Sequence, residues 1–417
     1  MELLNIPSLI TVGDGNGGQA ISSLREYLNQ LISANSIASF LTHKIDKYGD
    51  ASTGAIRVRI PRYLQSFKYN PKGGNPLQEY QVSEVIVPID VERMVKSSVD
   101  DFDLRRFEES GAYQVQVLSS VAKTIIADLN AHFYQYVVNE IANNKQNTIQ
   151  LDFSNIATSQ DELASNKLKA YQLVQFINGF KKIFNTINYS LEDTDITTVL
   201  DDVAINNIVY GFTTGTAGDK AIDIQVQGSK LLVNKIGGLT YTRDNMISNN
   251  VIPAGVSFNG DEDFDFSNIT AISIFAGAVA FPYYVKSMWS ATDPDTGNLI
   301  VGSKYLFGAK SIYPQFIWAA VKDNSNFKYN LDGAKVSMVG NLKNPTTLKV
   351  VGTSNSNNIP LSEMGNLSVA SSDENVATAT IANGVITITK VANGVATISL
   401  TSDNEKVKGD ERQILFA

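Results

Sequence analysis

The sequence predicts an α+β chain that closes with a small all-β domain. Three observations predict it. Two stretches of period-two alternation precede a long stretch of helical periodicity. The middle of the chain mixes short strands and turns without a regular strand–helix–strand repeat. From about residue 341 onward aromatics nearly vanish, Thr and Ser rise, and Asn-Gly pairs separate short apolar runs.

The elements follow in order. Leu9 to Val12 is apolar and Gly13 to Gly18 is glycine-rich. A helix is expected from about Gln19 to Phe40, because Leu24, Leu28, Leu31 and Ile32 recur on one face. Ile56, Val58 and Ile60 then alternate with Arg57 and Arg59 and stop at Pro61, which reads as a strand with one apolar and one basic face. Val85, Val87, Ile89 and Val91 alternate in the same way. The polar segment from Arg62 to Tyr80, with Asn70-Pro71-Lys72-Gly73-Gly74-Asn75-Pro76 inside it, makes the pair a long two-stranded excursion with a Gly/Pro tip. A lone hairpin is marginal in water and needs a surface to lie on, for which a neighbouring subunit is one candidate. The basic stripe of Arg57, Arg59 and Arg62 fits either a contact with acidic groups of that neighbour or a plain solvent face.

A long helix is expected from about Asp103 to Asn143, with Leu118, Val121, Ala122, Ile125, Leu129 and Phe133 in helical rhythm. At 1.5 Å per residue it would span roughly 60 Å. A second helix is expected from Asp161 to Thr186, with Leu173, Phe176, Phe180 and Phe184 on one face. Strands follow at Leu231-Leu232-Val233 and within Ala271 to Ala280. Asn341 to Asn344 is expected to be a linker. After it, Ile381 to Ile388 around Asn383-Gly384 is a hairpin signal, and Val391 to Ile398 around Asn393-Gly394 nearly repeats it.

Composition excludes several classes. The chain has 417 residues, 43% of them hydrophobic, enough for two or three domains. Its net charge of −8 argues against a chain that grips nucleic acid by a basic face. Weak contact with packed DNA stays compatible with it. The absence of cysteine rules out disulfides, thiol nucleophiles and thiolate metal sites. No export signal is expected, since Met1 to Asn5 lack a basic region followed by an apolar run, and no membrane span, since no apolar run approaches about 18 residues.

No catalytic constellation stands out, and the chain reads as not an enzyme, with no cofactor and no metal site. Gly13-Asp14-Gly15-Asn16-Gly17-Gly18 matches a dinucleotide fingerprint, but the second strand such a site needs is missing, so it reads as a glycine turn. Asp293-Pro294-Asp295-Thr296-Gly297 hints at a calcium loop, yet Lys304 stands where the bidentate Glu belongs, so a surface turn is expected. The run Asp261-Glu262-Asp263 with Asp265 reads as a solvated face. His43 and His132 are the two histidines, and neither accompanies a nucleophile elbow.

The order of elements resembles the tailed-phage major capsid protein of the Hong Kong 97-type fold. Gly54-Ala55-Ile56-Arg57-Val58-Arg59-Ile60-Pro61 looks like the outgoing strand of that family's extended loop. Val85 to Asp90, continuing through Ser97 to Leu104, looks like the returning strand leading into its spine helix. Ile236-Gly237-Gly238-Leu239-Thr240-Tyr241 and Lys304 to Ala309 are similar to strands of its axial region. The resemblance covers roughly residues 1 to 340. It implies residues 1–42 as N-terminal arm and helix, 43–100 as extended β-hairpin loop, and 101–340 as spine helix with peripheral and axial domains. It implies self-assembly into pentamers and hexamers of an icosahedral shell around double-stranded DNA, in a virion built in the host bacterial cytoplasm. Portal and scaffolding proteins are the further partners it implies, and no membrane. Arg57, Arg59, Arg62, Lys68 and Lys72 would then lie on the neighbouring subunit. Some members cross-link a Lys to an Asn, but no partner for Lys68 or Lys72 can be named and no cross-link is expected.

Residues 345–417 resemble a bacterial immunoglobulin-like domain of group 2, on Ser371-Ser372-Asp373-Glu374-Asn375-Val376-Ala377-Thr378 and the two Asn-Gly pairs. Gly384 and Gly394 are expected to supply positive φ at its turns. Such a domain either binds host-surface glycans weakly, with many copies raising avidity, or serves as a spacer. Two other readings compete with the shell protein. A bacterial surface adhesin or carbohydrate-binding protein would need an export signal or wall anchor. A glycan-acting enzyme would need two carboxylates in one cleft.

Overall fold

The computed structural model describes residues 47–48, 54–61, 82–99, 112–153, 159–186, 196–205, 222–227, 230–236, 239–244, 246–247, 264–354 and 357–417. The N-terminal arm and its helix, the glycine run at 13–18, Asp261 to Asp263, and Arg62, Lys68 and Lys72 lie outside these residues. The chain divides into two compact units, one of residues 1–138 and 192–317, the other of 139–191 and 318–417.

In the first unit the long helix is described over Ala112–Ala142, its residues beyond 138 counting with the second unit. A helix of this length spans about 46 Å. Residues 103–111 of the expected helix lie outside the described residues. Val121, Ala122, Ile125, Leu129, Phe133 and Val137 are buried, the rhythm the sequence shows. Two sheets receive it. In one, Tyr283–Thr292, Leu299–Phe307 and Val91–Val99 lie side by side, antiparallel. In the other, Ile269–Phe275 pairs antiparallel with Ile196–Leu200, which pairs in parallel with Leu239–Arg243. Lys230–Ile236 and Ile222–Gln227 continue that sheet. Every residue of Ile196–Leu200 and Ile269–Phe275 is buried, and Thr198 and Ser273 satisfy each other's hydroxyls there at 2.8 Å. Aromatic rings seat the helix: Phe133 meets Phe281 edge-on at 5.5 Å, and Tyr134 meets Phe266 at 5.9 Å. The Tyr134 hydroxyl donates to Asp244 at 3.1 Å. Burial raises the Asp244 carboxyl above the usual carboxylate range and pushes the Tyr134 phenol well up.

In the second unit the long helix ends at two asparagines. Asn143 donates its side-chain amide to the Asn139 carbonyl at 2.9 Å and Asn144 to that of Glu140 at 2.7 Å, capping a last turn that holds no basic residue. A 3-10 turn, Lys145–Asn147, leads to a short strand in which Thr148, Ile149 and Gln150 pair in parallel with Ala319, Ala320 and Val321. The second helix spans Gln160–Thr186. It starts one residue before the expected Asp161, because Ser159 and Glu162 form a capping box: each side chain bonds the other's backbone N–H at 3.2 Å. Leu173 is buried and Phe176 packs on Trp318 at 5.0 Å.

The C-terminal part is two sheets over one core. Lys335–Val339, Thr347–Ser354, Val385–Lys390 and Ala377–Ala382 form one sheet in that order, with Asn357–Ile359 on the side. Leu367–Ser371, Gly394–Ser402 and Asp410–Phe416 form the other. Val336, Met338, Leu348, Ile386 and Ile388 from the first meet Ile398, Leu400, Ile414 and Phe416 from the second. The sandwich therefore begins before residue 345. Lys335 to Val339 pair with Thr353 to Lys349, so Asn341 to Asn344 lie between two strands of one sheet instead of linking domains. Val336 and Met338 supply buried positions at too short a run for their alternation to announce a strand.

Candidate subunit-contact site

The hairpin root is built from register. Strands Ala55–Pro61 and Val82–Pro88 pair residue for residue, from Ala55 opposite Pro88 to Pro61 opposite Val82. Alternation sends Ile56, Val58 and Val87 to one side, where with Ile89 they pack on Ala280, Leu306 and Ile312. Backbone contact fixes the seat. A Cβ on Gly308 would stand 1.8 Å from the Pro88 carbonyl oxygen, so only glycine allows the chain to pass there. Ile89 N–H donates to the Gly54 carbonyl at 2.8 Å, and Lys310 donates to the Ile86 carbonyl at 3.0 Å.

The opposite side faces solvent. It carries Arg57, Arg59, Glu84 and Ile86, the last 56% exposed. Glu84 stands directly across from Arg59 and diagonal to Arg57. Its carboxylate accepts from Arg59 Nε at 3.3 Å and lies 3.5 Å from Arg57 Nη1. These pairs are exposed and contribute little to stability. Among the described residues of this strip, two guanidiniums stand against one carboxylate beside an exposed apolar side chain. Sequence reasoning named Arg57 and Arg59 but passed over Glu84 and Ile86, which share their face only once the register is known.

The turn glycines differ from each other. Asn383 and Gly384 both have positive φ, 52° and 72°, and join Ala377–Ala382 to Val385–Lys390 as a two-residue hairpin turn. Gly394 does not close a hairpin. Val385–Lys390 and Gly394–Ser402 belong to different sheets, and Val391 to Asn393 carry the chain across between them. Gly394, with φ 156°, instead passes close to Val376, whose Cγ2 would lie 3.0 Å from an added Cβ.

The segment Asp293 to Gly297 is a turn. Asp293 accepts from Asp295 N–H at 3.1 Å and from the Thr296 hydroxyl at 2.9 Å, and Gly297 has φ 73°. These hydrogen bonds hold the Asp293 carboxyl below the usual range. Among the described residues no group of three or more His, Cys, Asp or Glu comes together to hold a metal, and no helix is long and apolar enough to cross a membrane.

Comparison with known proteins is sparse at the sequence level: no protein-family model and no curated protein matches. Similar solved structures do exist. The capsid structure of the cyanophage P-SCSP1u is 13% identical with a TM-score of 0.40, covering 65% of this chain and 84% of that one. A Mycobacterium phage Che8 structure is 14% identical with a TM-score of 0.40, covering 69% and 91%. A virus-like particle from Pyrococcus furiosus is 10% identical with a TM-score of 0.40, covering 72% and 98%. These scores lie below 0.5, and the case for function is carried by the chain's own elements.

Proposed function

We propose that the chain is a major capsid protein that self-assembles into the icosahedral shell of a tailed phage. The observation that carries the reading is the hairpin root. Its apolar face is seated on its own unit and its cationic face is left to solvent. Residues 62–81, far more than a turn requires, join its strands. The long helix and a mixed sheet follow, the order that characterises the Hong Kong 97-type subunit. Arg57 and Arg59, with Arg62, Lys68 and Lys72 further along, are the cations this reading sets against acidic groups of the neighbouring copy. Such heterologous contacts, many and individually modest, close only at shell scale. The packaged partner is double-stranded DNA held without sequence specificity, and scaffolding and portal proteins are the assembly partners.

On this reading the C-terminal sandwich is an immunoglobulin-like decoration on the outer surface. Two sheets sharing one core and a two-residue Asn383-Gly384 hairpin turn support that assignment. The test is electron microscopy and light scattering of the purified full chain, with and without a co-expressed scaffolding protein. Closed shells or capsomer rings are expected, with the sandwich resolved outside. A strict monomer in every condition would sink the proposal.

A further inference from the structure

The long helix turns two titratable side chains towards the sheet one turn apart. Asp128 is fully buried, and its Oδ2 accepts the Tyr305 hydroxyl at 2.5 Å. Its other oxygen, Oδ1, is buried without a hydrogen-bond donor. His132 Nε2 lies 3.5 Å from that oxygen. The ring is held between Phe264 and Phe307, with centroids 5.1 and 4.7 Å away. From strand Val91–Val99, Arg93 Nη2 comes within 2.7 Å of the same Nε2.

Those contacts fix a tautomer. A guanidinium donates and never accepts. At 2.7 Å from Arg93, Nε2 must therefore present its lone pair. His132 is neutral in this arrangement and carries its proton on Nδ1. Nε2 and Asp128 Oδ1 then face each other as two acceptors, which is why that buried oxygen goes without a donor. A proton on Nε2 reverses both relations. It gives Asp128 the donor it lacks and sets an imidazolium against the Arg93 guanidinium.

We propose that His132 is a protonation-driven switch between two partners, Arg93 on the strand and Asp128 on its own helix. Neutral, the ring ties the helix to strand Val91–Val99. Protonated, it bonds within the helix and the tie is released. The strand follows the hairpin strand Val82–Pro88 after two residues, so the release acts at the root of the hairpin. Among the described residues, Asp128 and Arg93 lie against Nε2 of the ring, and Tyr305 is bonded to Asp128 behind it. The segment 264–266 presents Phe264 to it, with Asp265 exposed. Histidine in general changes charge between pH 5 and 8, the range the test covers. The switch is a property of one subunit and stands whether or not the chain assembles.

The test is NMR of the histidine-labelled full chain, joined to amide hydrogen exchange. The chain has two histidines, so His43→Asn leaves one ring signal to follow. At pH 8 the ring nitrogens of His132 are expected to report the proton on Nδ1. Between pH 8 and 5, after correction for the intrinsic pH dependence, exchange in strand Val91–Val99 should quicken on the order of tenfold relative to Ile269–Phe275. His132→Gln, which keeps a neutral acceptor, should abolish that step. A neutral ring protonated on Nε2 overturns the proposal, and so does a step that survives His132→Gln. If that variant does not fold, Asp128→Asn decides: the ring should then protonate at lower pH, and an unchanged titration overturns the proposal.

Discussion

Replacing Gly308 with alanine tests how the hairpin is seated. The added Cβ would lie 1.8 Å from the Pro88 oxygen, 2.9 Å from its carbonyl carbon and 3.1 Å from Ile89 Cα, all of them backbone atoms. Carbon and carbonyl oxygen approach to about 3.3 Å at closest, so one segment must move by roughly 1.5 Å. A shift of that size breaks the Ile89 N–H bond to Gly54, 2.8 Å long, the Gly308 N–H bond to Pro282, 3.1 Å long, or both. It also unseats Val87 and Ile89 from Ala280. Overpacking of this kind costs about 1–3 kcal/mol and each lost hydrogen bond about 1 kcal/mol, giving about 2–5 kcal/mol in total. The assay is urea unfolding of the full chain, with hydrogen exchange resolving strands Ala55–Pro61 and Val82–Pro88. Gly179→Ala is the control: it sits in the second helix with nothing within 4 Å of its added Cβ, and should gain about 0.5–1 kcal/mol. If Gly308→Ala unfolds at the wild-type midpoint and keeps protection in both strands, the seating argument fails.

Four further outcomes are expected. Tyr305→Phe takes the donor from buried Asp128 Oδ2 and should cost about 2–3 kcal/mol in urea unfolding. Gly384→Ala forces a side chain to φ 72° with its Cβ 2.7 Å from Leu361 Cδ1, and should cost the sandwich about 1–2 kcal/mol, read as a lower melting temperature. Asp244 has a raised folded-state pKa, so the folded chain holds its proton more tightly than the unfolded one. Its stability contribution is present below the ordinary carboxylate pKa and lost as pH rises through the raised value. The stability of wild type relative to Asp244→Asn should therefore fall as pH rises upward from the ordinary carboxylate range, and a constant difference would contradict the burial argument. The double change Arg57→Glu and Arg59→Glu should leave the unfolding free energy in urea within about 0.5 kcal/mol of wild type while abolishing shell formation in light scattering. Normal shells from that variant would remove these arginines from the contact.

Local chemistry was the legible part. The alternation of Ile56 and Val58 against Arg57 and Arg59, and the helical rhythm from Val121 to Val137, are burial patterns that one element imposes on its own residues. What depends on partners distant in the chain was not legible. Asp128 and His132 are visibly one helical turn apart, but Arg93 and Tyr305 reach them from strands 35 and 177 residues away from Asp128 in the chain. Gly308 lies in the quoted stretch Lys304 to Ala309, but nothing there shows its constraint, which is a carbonyl of Pro88. The two Asn-Gly pairs show the same limit from the other side. Identical dipeptides give a hairpin turn at Asn383-Gly384 and a crossing between sheets at Asn393-Gly394, because the strand that follows the second finds its partner in Asp410–Phe416.

The early start of the sandwich bears on how the chain can be re-engineered. Cutting at Asn341 to Asn344 to exchange the terminal domain would strand Lys335–Val339 without its partner, leaving Val336 and Met338 uncovered on an open edge. The residues on either side offer no better graft point, because Asn330 is bonded to Asn144 and Gln146, Asn357 to Asn147, and Lys328 to Ala142 through its N–H and to the Lys145 N–H through its carbonyl. The sandwich and the end of the long helix share one hydrogen-bonded joint. Cargo for display is better inserted in the Asn383-Gly384 turn, at the tip of a strand pair that remains whole, than substituted for the domain.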